Sequence, residues 1–167
     1  MKPTWILIAD GSRARLFEQP QPQEQWREIR AWVHPASRLR TEALAYDQLG
    51  RASKGQAGAA SFVPRTSPKQ REHRRFAQEL AQHLDWGVRS GQCDALVLIA
   101  SNSLLGELRQ ALPTQAAKRV LWSASVDLTS YAGRELQTRF EALRPTPALP
   151  PEQELQQHGA GASPRLS

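Results

Sequence analysis

The sequence contains very little cysteine and no long hydrophobic run. Cys93 is the only cysteine among 167 residues, which excludes an internal disulfide and a thiolate-rich zinc site. The apolar stretches at residues 5–9 and 95–100 are far shorter than the about 20 residues that a membrane-spanning helix needs. The first stretch is also too short for the core of a signal peptide. We therefore expect a cytoplasmic protein that does not contact a membrane.

Motifs of the common catalytic and cofactor-binding classes are also absent. The sequence has no phosphate-binding glycine loop of the Walker or dinucleotide type and no Gly-x-Ser-x-Gly elbow. His73 and His83 are ten residues apart, a spacing that does not place them on one helical face. We expect no cofactor and no metal. Cys93 precedes Asp94, whose negative charge disfavours a thiolate, so we interpret Cys93 as a small residue near the core.

The sequence does contain an unevenly distributed positive charge. Its formal net charge is +6, and residues 34–75 hold nine Arg or Lys against three acids, so this segment carries the whole excess. A concentrated basic segment attracts phosphate backbones through counterion release. A solvated arginine-rich loop that merely aids solubility would have the same composition. RNA is therefore a candidate partner. The residues we predict to bind nucleic acid are Arg38, Arg40, Arg51, Lys54, Gly55, Arg65, Lys69, Arg71, Arg74 and Arg75.

The order of predicted elements indicates one α/β domain. Residues 5–9 are apolar at every position, as in a strand covered on both faces, and residues 13–18 and 26–33 alternate as strands of an antiparallel meander. Two further strands, at 95–100 and 120–126, alternate with helices that carry apolar stripes. The predicted order is β-β-β-α-β-α-β-α in a mixed five-stranded sheet. This order resembles the ribonuclease H-like architecture, in which the first strand is central.

A long basic loop separates the two halves of this predicted domain. No period persists over residues 34–66, and a loop of this length in a compact domain is functional or disordered. Ser67, Pro68 and Gln70 form a capping-box pattern that begins the next helix, and Gly91 is expected to end it. We assign residues 1–144 to the domain and expect residues 145–167, which lack core residues, to be a disordered tail.

Several segments resemble the bacterial host-attachment protein family. They are WILIADGSRARLFE at 5–18, DQLGR at 47–51, RFAQELA at 75–81, LLGELR at 104–109 and DLT at 127–129. The resemblance extends over about residues 4–143. The family's name records a phenotype, attachment of a bacterium to host cells, and implies no reaction. The family is also grouped with bacterial relatives of the middle domain of archaeal and eukaryotic peptide-chain release factors.

The release-factor relationship implies a role for the basic loop. In release factors a Gly-Gly-Gln loop precedes a basic helix and enters the peptidyl-transferase centre of the ribosome. Lys54-Gly55-Gln56 lies at the corresponding place in this chain, with Lys54 where the first glycine stands in the family pattern. The resemblance thus implies an RNA- or ribosome-associated factor, with Gln56 as the candidate catalytic residue for peptidyl-tRNA hydrolysis. The alternative is a non-catalytic interaction or regulatory protein that influences attachment to host cells.

Asp10 and the tryptophans of the third strand could each have a functional role, and each also has a simpler structural explanation. A nuclease of the ribonuclease H type needs several carboxylates around two metal ions. Asp10 ends the first strand, but residues 101–103 after the fourth strand are Ser-Asn-Ser, so Asp10 is more simply a turn residue. Strict alternation places Trp26 and Trp32 on one face of the third strand, where they could stack bases. We favour the interpretation that each of them covers a helix in the core.

Overall fold

The computed structural model describes residues 2–34 and 67–146 of the chain. These residues form five strands and four helices, which confirms the predicted α/β class. In chain order the elements are β1 Thr4–Ala9, β2 Arg13–Gln19, β3 Arg27–Val33, α1 Pro68–Arg89, β4 Ala95–Ala100, α2 Asn102–Ala111, α3 Thr114–Ala117, β5 Val120–Ser125 and α4 Gly133–Leu143.

The five strands form one mixed sheet in the order β3-β2-β1-β4-β5. β1 pairs with β2 antiparallel and with β4 parallel, and β4 pairs with β5 parallel. The apolar run of residues 5–9 is buried throughout, because β1 lies in the middle of the sheet and is covered on both faces. The prediction of a central first strand after an antiparallel start is confirmed.

Helices cover both faces of the sheet and produce two separate hydrophobic clusters. The first cluster lies beneath α1, α2 and α3, and its buried members include Trp5, Leu7 and Leu98 from the strands and Phe76 and Leu104 from the helices. The second lies beneath α4, and its buried members are Ile6, Ile8, Phe17, Val97, Ile99, Leu128, Leu136 and Phe140. Successive residues of β1 therefore enter opposite clusters, as the two-residue period of a strand requires.

The alternation predicted along β3 is wrong on one point. The pairing register shifts between Leu16 and Phe17, so that Leu16 faces Arg30 while Phe17 faces Glu28. The intervening Ile29 forms a bulge, and a bulge exchanges the faces of the residues on its two sides. Trp32 is consequently buried in the cluster beneath α1, whereas Trp26 packs against Phe17 and Phe140 on the other face. Each tryptophan covers one helix, as we favoured, and they do not share a face.

The predicted boundaries of α1 are confirmed. The Ser67 hydroxyl accepts a hydrogen bond from the backbone N–H of Gln70, and the Gln70 side chain accepts one from the backbone N–H of Ser67. Pro68 occupies the first turn, and the helix ends just before Gly91, which has a φ of 76°.

The structure adds one short helix to the predicted order, α3, which follows directly after Pro113. The last helix begins at Gly133, after a loop in which the Thr129 hydroxyl bonds to the carboxylates described below. Within residues 2–34 and 67–146, no helix combines the length and the apolar character needed to cross a membrane.

Candidate functional site

The carboxyl ends of the parallel strands β1, β4 and β5 lie at the edge of the sheet where α1 begins. From this edge the chain passes from β1 to β2 on one side and from β4 through α2 to β5 on the other. In α/β proteins, ligands bind outside the carboxyl ends of parallel strands. The side chains at this edge are therefore the candidates for a functional site.

Asp10 ends β1 and organises the turn that follows. Its Oδ1 accepts hydrogen bonds from the backbone N–H groups of Ser12 and Arg13, both at 2.9 Å. Its Oδ2 accepts from the Thr129 hydroxyl at 3.0 Å and from the Arg13 guanidinium at 3.1 Å. Burial by itself would raise the pKa of Asp10, but these hydrogen bonds outweigh it and the pKa lies below its ordinary value. Asp10 acts as a structural acceptor that joins the turn to the loop before α4.

The ends of β4 and β5 carry short neutral side chains. The Ser125 hydroxyl donates a hydrogen bond to Oδ1 of Asn102 at 3.2 Å, which links the two strand ends. Asp127 accepts a hydrogen bond from the backbone N–H of Thr129, and it shares the single hydroxyl hydrogen of Thr129 with Asp10. Among the residues that the structure describes, no group of three or more His, Cys, Asp or Glu side chains is arranged to hold a metal ion.

His73, in the second turn of α1, lies directly on the turn between β1 and β2. A Cβ atom on Gly11 would come within 2.2 Å of the His73 Nε2 atom, so the turn needs glycine for this close approach. Burial and the positive charge of Lys69 lower the pKa of His73, while the negative charges of Glu107 and Asp10 oppose the shift. A lowered pKa favours the neutral imidazole near neutral pH.

A polar contact between His34 and the buried Glu72 joins the end of β3 to α1. The Nε2 atom of His34 is 3.0 Å from Oε2 of Glu72, which is 2% exposed. The His34 ring also stacks on Phe76, with 5.1 Å between the ring centroids, and its backbone N–H donates to the carbonyl of Ser12. His34 and Ser67 are the described residues that flank residues 35–66. Both flanks therefore lie at the same edge of the sheet.

Four of the predicted nucleic-acid-binding cations lie on the first two turns of α1, and all four are exposed. Arg74 is 3.3 Å from Glu107, and Arg75 is 3.9 Å from Glu72. Lys69 and Arg71 form no ion pair within the described part of the chain. The first turn of α1 contains no acid. Its cations therefore add to the positive potential of the helix N-terminus, and no carboxylate in this turn offsets them.

The other predicted site residues lie outside the described residues. They are Arg38, Arg40, Arg51, Lys54, Gly55, Gln56 and Arg65. The interpretation of Cys93 is confirmed, because the thiol is buried, and burial together with the charge of Asp94 raises the pKa of Cys93 to about 12.

Glu72 and His73 are buried polar neighbours on α1, and neither was among the predicted site residues. A usable signal was present, because these residues precede Phe76 and Ala77 by four positions and so fall on the apolar stripe of the helix. Polar residues on such a stripe are buried, and buried polar groups need partners. The identity of the partners, His34 and the Gly11 turn, required the fold.

The chain was compared with curated proteins and with models of protein families. Curated proteins give no match. A family model described as "Protein required for attachment to host cells" matches residues 5–140, which include every strand and nearly all of the helical residues described above. The matched region covers well over half of the chain, and it starts in β1 and ends within α4. The protein is therefore a member of the host-attachment protein family.

Proposed function

We propose that this protein binds RNA through a basic surface at the start of α1, and that the ribosome is its partner. The observation that carries the proposal is the charge distribution. Residues 34–75 account for the whole net charge of +6, and the described part of this segment presents four exposed cations on two helical turns. Lys69 and Arg71 have no carboxylate partner among the described residues, so they can pair with phosphate at little cost.

The surroundings of these cations support a stable platform. The capping box defines the start of α1, and the pair between His34 and Glu72 attaches the helix to the end of β3. Exposed cations on a rigid helix lose less conformational freedom on binding than cations on a flexible chain. A ribosomal partner would require residence in the cytoplasm.

Filter binding or fluorescence anisotropy with labelled RNA at increasing salt tests the proposal. We expect the affinity of the wild type to fall steeply with salt, and the double variant Lys69→Ala/Arg71→Ala to bind more weakly with a salt slope smaller by up to about 1 per lost phosphate contact. Arg134→Ala is the matched control, because Arg134 is exposed on α4, on the other face of the sheet. Co-sedimentation with ribosomes at low salt tests the partner. Free migration there, together with no binding of RNA, would refute the proposal.

We also infer a ribonuclease H-like fold and descent related to the middle domain of release factors. The strand order with a central β1 and parallel β4 and β5 supports the fold assignment. Nuclease chemistry is less well supported, since the donors around Asp10 use both of its oxygens and Ser101, Asn102 and Ser103 supply no acid after β4.

Peptidyl-tRNA hydrolysis is the catalytic extension of this proposal, with Gln56 as the residue that positions the attacking water. Release of a labelled peptide from peptidyl-tRNA on ribosomes measures this activity, and Gln56→Ala should abolish it while ribosome binding remains. Unchanged release by the variant would remove Gln56 from the mechanism. If neither RNA nor ribosomes bind the protein, the alternative of a non-catalytic interaction protein that influences attachment is favoured.

A further inference from the structure

One exposed stripe runs along the whole length of α1. Its members follow one another at spacings of three or four residues, which places them on one side of a helix. They are Arg71, Arg75, Gln78, Gln82, Trp86 and Arg89, and all of them are exposed. At 1.5 Å per residue the stripe is about 27 Å long. It thus combines cations at both ends with amides and an aromatic ring between them.

Trp86 is the unusual member of this stripe, because 49% of its surface is open to solvent. The ring is supported from within by His83 and Trp5, whose centroids lie 5.4 and 6.4 Å from that of Trp86. Trp5 is itself buried and stacks on His83. A large aromatic ring is therefore held in a defined position on the surface and keeps much of its area available.

Positive charge lies on both sides of Trp86 along the helix. Arg71 and Arg75 precede it, and Arg89 follows it by one turn. Arg89 also lines an open cavity of about 490 Å³ together with Lys118 and Arg119, both of which are exposed. Three acids moderate this charge, and the first is Glu72, which lies 3.9 Å from Arg75. Asp85 pairs with Arg89 at 2.8 Å, and Glu79 is exposed between Arg75 and Trp86.

We propose that this stripe is a track for single-stranded RNA, in which the flanking cations contact phosphates and Trp86 stacks on an unpaired base. The inference rests on the proposed function and specifies the form of RNA that is bound. Cations can bind the phosphates of any RNA. An exposed aromatic ring adds binding energy by stacking only where the face of a base is free. Duplex RNA keeps its bases stacked inside the helix and presents mainly phosphates and sugars.

Binding of three labelled RNAs to the full chain tests the track. The ligands are a short single-stranded RNA, an abasic strand with the same number of phosphates, and a duplex of equal length. We expect Trp86→Ala to weaken binding of the single strand by about 5- to 150-fold, the equivalent of one stacked base. The same variant should leave the abasic strand and the duplex unchanged, and Trp86→Phe should restore most of the affinity. Leu121→Ala, which removes an exposed apolar side chain from β5, should change nothing.

The outcomes separate this inference from the proposed function. If no RNA binds the wild type, RNA binding itself is wrong. If RNA binds, but abasic and base-containing strands bind equally and Trp86→Ala has no effect, the track is wrong while RNA binding by the basic surface stands. The variant Glu79→Gln provides a second test, in which the affinity for RNA is expected to increase instead of decrease. Removal of this negative charge should tighten binding of both the single strand and the abasic strand, and unchanged affinity would show that the backbone does not pass Glu79.

Discussion

The two halves of α1 contact the sheet with different chemistry. The first half places the buried carboxylate of Glu72 and the imidazole of His73 against the strand ends, where Glu72 meets His34 at the end of β3. The second half places apolar side chains and Gly87 against Trp5, with His83 and Trp86 at the margin. Polar contacts anchor the end that carries the predicted basic surface, and apolar contacts anchor the end that carries the exposed tryptophan.

This difference suggests separate roles for the two halves. Hydrogen bonds and ion pairs require specific geometry, so they fix the orientation of the helix start relative to the strand ends. Apolar burial supplies most of the stability and tolerates variation in geometry better. We therefore expect substitutions in the second half to affect stability most, and changes of pH to act through the titratable groups of both halves.

The largest expected effect is the loss of Trp5. Trp5→Ala removes a side chain that is 2% exposed beneath the second half of α1, and we expect it to lower the free energy of unfolding by about 3 to 5 kcal/mol. Trp86→Ala removes the same side-chain type from a half-exposed position and should cost about 1 kcal/mol or less. Urea denaturation of both variants measures the difference. Equal losses would show that Trp86 belongs to the core, and would weaken the case for a binding ring.

A smaller effect is expected from Gly87→Ala. A Cβ atom at this position would lie 2.2 Å from the Trp5 ring, so we expect overpacking to cost about 1 to 3 kcal/mol although alanine is the better helix former. Gly106→Ala is the matched control in α2, where nothing lies within 4 Å, and it should stabilise the protein by about 0.5 to 1 kcal/mol. Thermal denaturation provides the measurement, and a stabilising Gly87→Ala would contradict the close packing of α1 on β1.

The smallest expected effect is the dependence of stability on pH. Burial lowers the pKa of His73 and of His83 below the usual 6.5, so the unfolded chain binds more protons at these sites as the pH falls. Their contribution to stability is present above pH 6.5 and is lost as the pH falls through the folded pKa values. Denaturation at several pH values should show this decrease, and His73→Gln and His83→Gln should each flatten it. A stability that rises below pH 6.5 would contradict the burial of both imidazoles.

The features that could be predicted from the sequence are those that depend on residues close together along the chain. β1, β4 and α1 were predicted correctly because an apolar run and a capping box are local signals. The faces of Trp26 and Trp32 were not, because the bulge at Ile29 depends on pairing with β2. The contact between His73 and Gly11 joins distant parts of the chain and has no local signal.

The sequence by itself determined the α/β class, the central position of β1 and the confinement of the net charge to residues 34–75, but not the short helix α3. These properties depend on which residues occur and on their spacing. Only the tertiary structure decided that His34 meets Glu72, that both flanks of residues 35–66 lie at one edge of the sheet, and that Trp86 is half-exposed above Trp5. The physical reason is that burial and pairing arise from contacts between segments distant in sequence, and the fold brings such segments together.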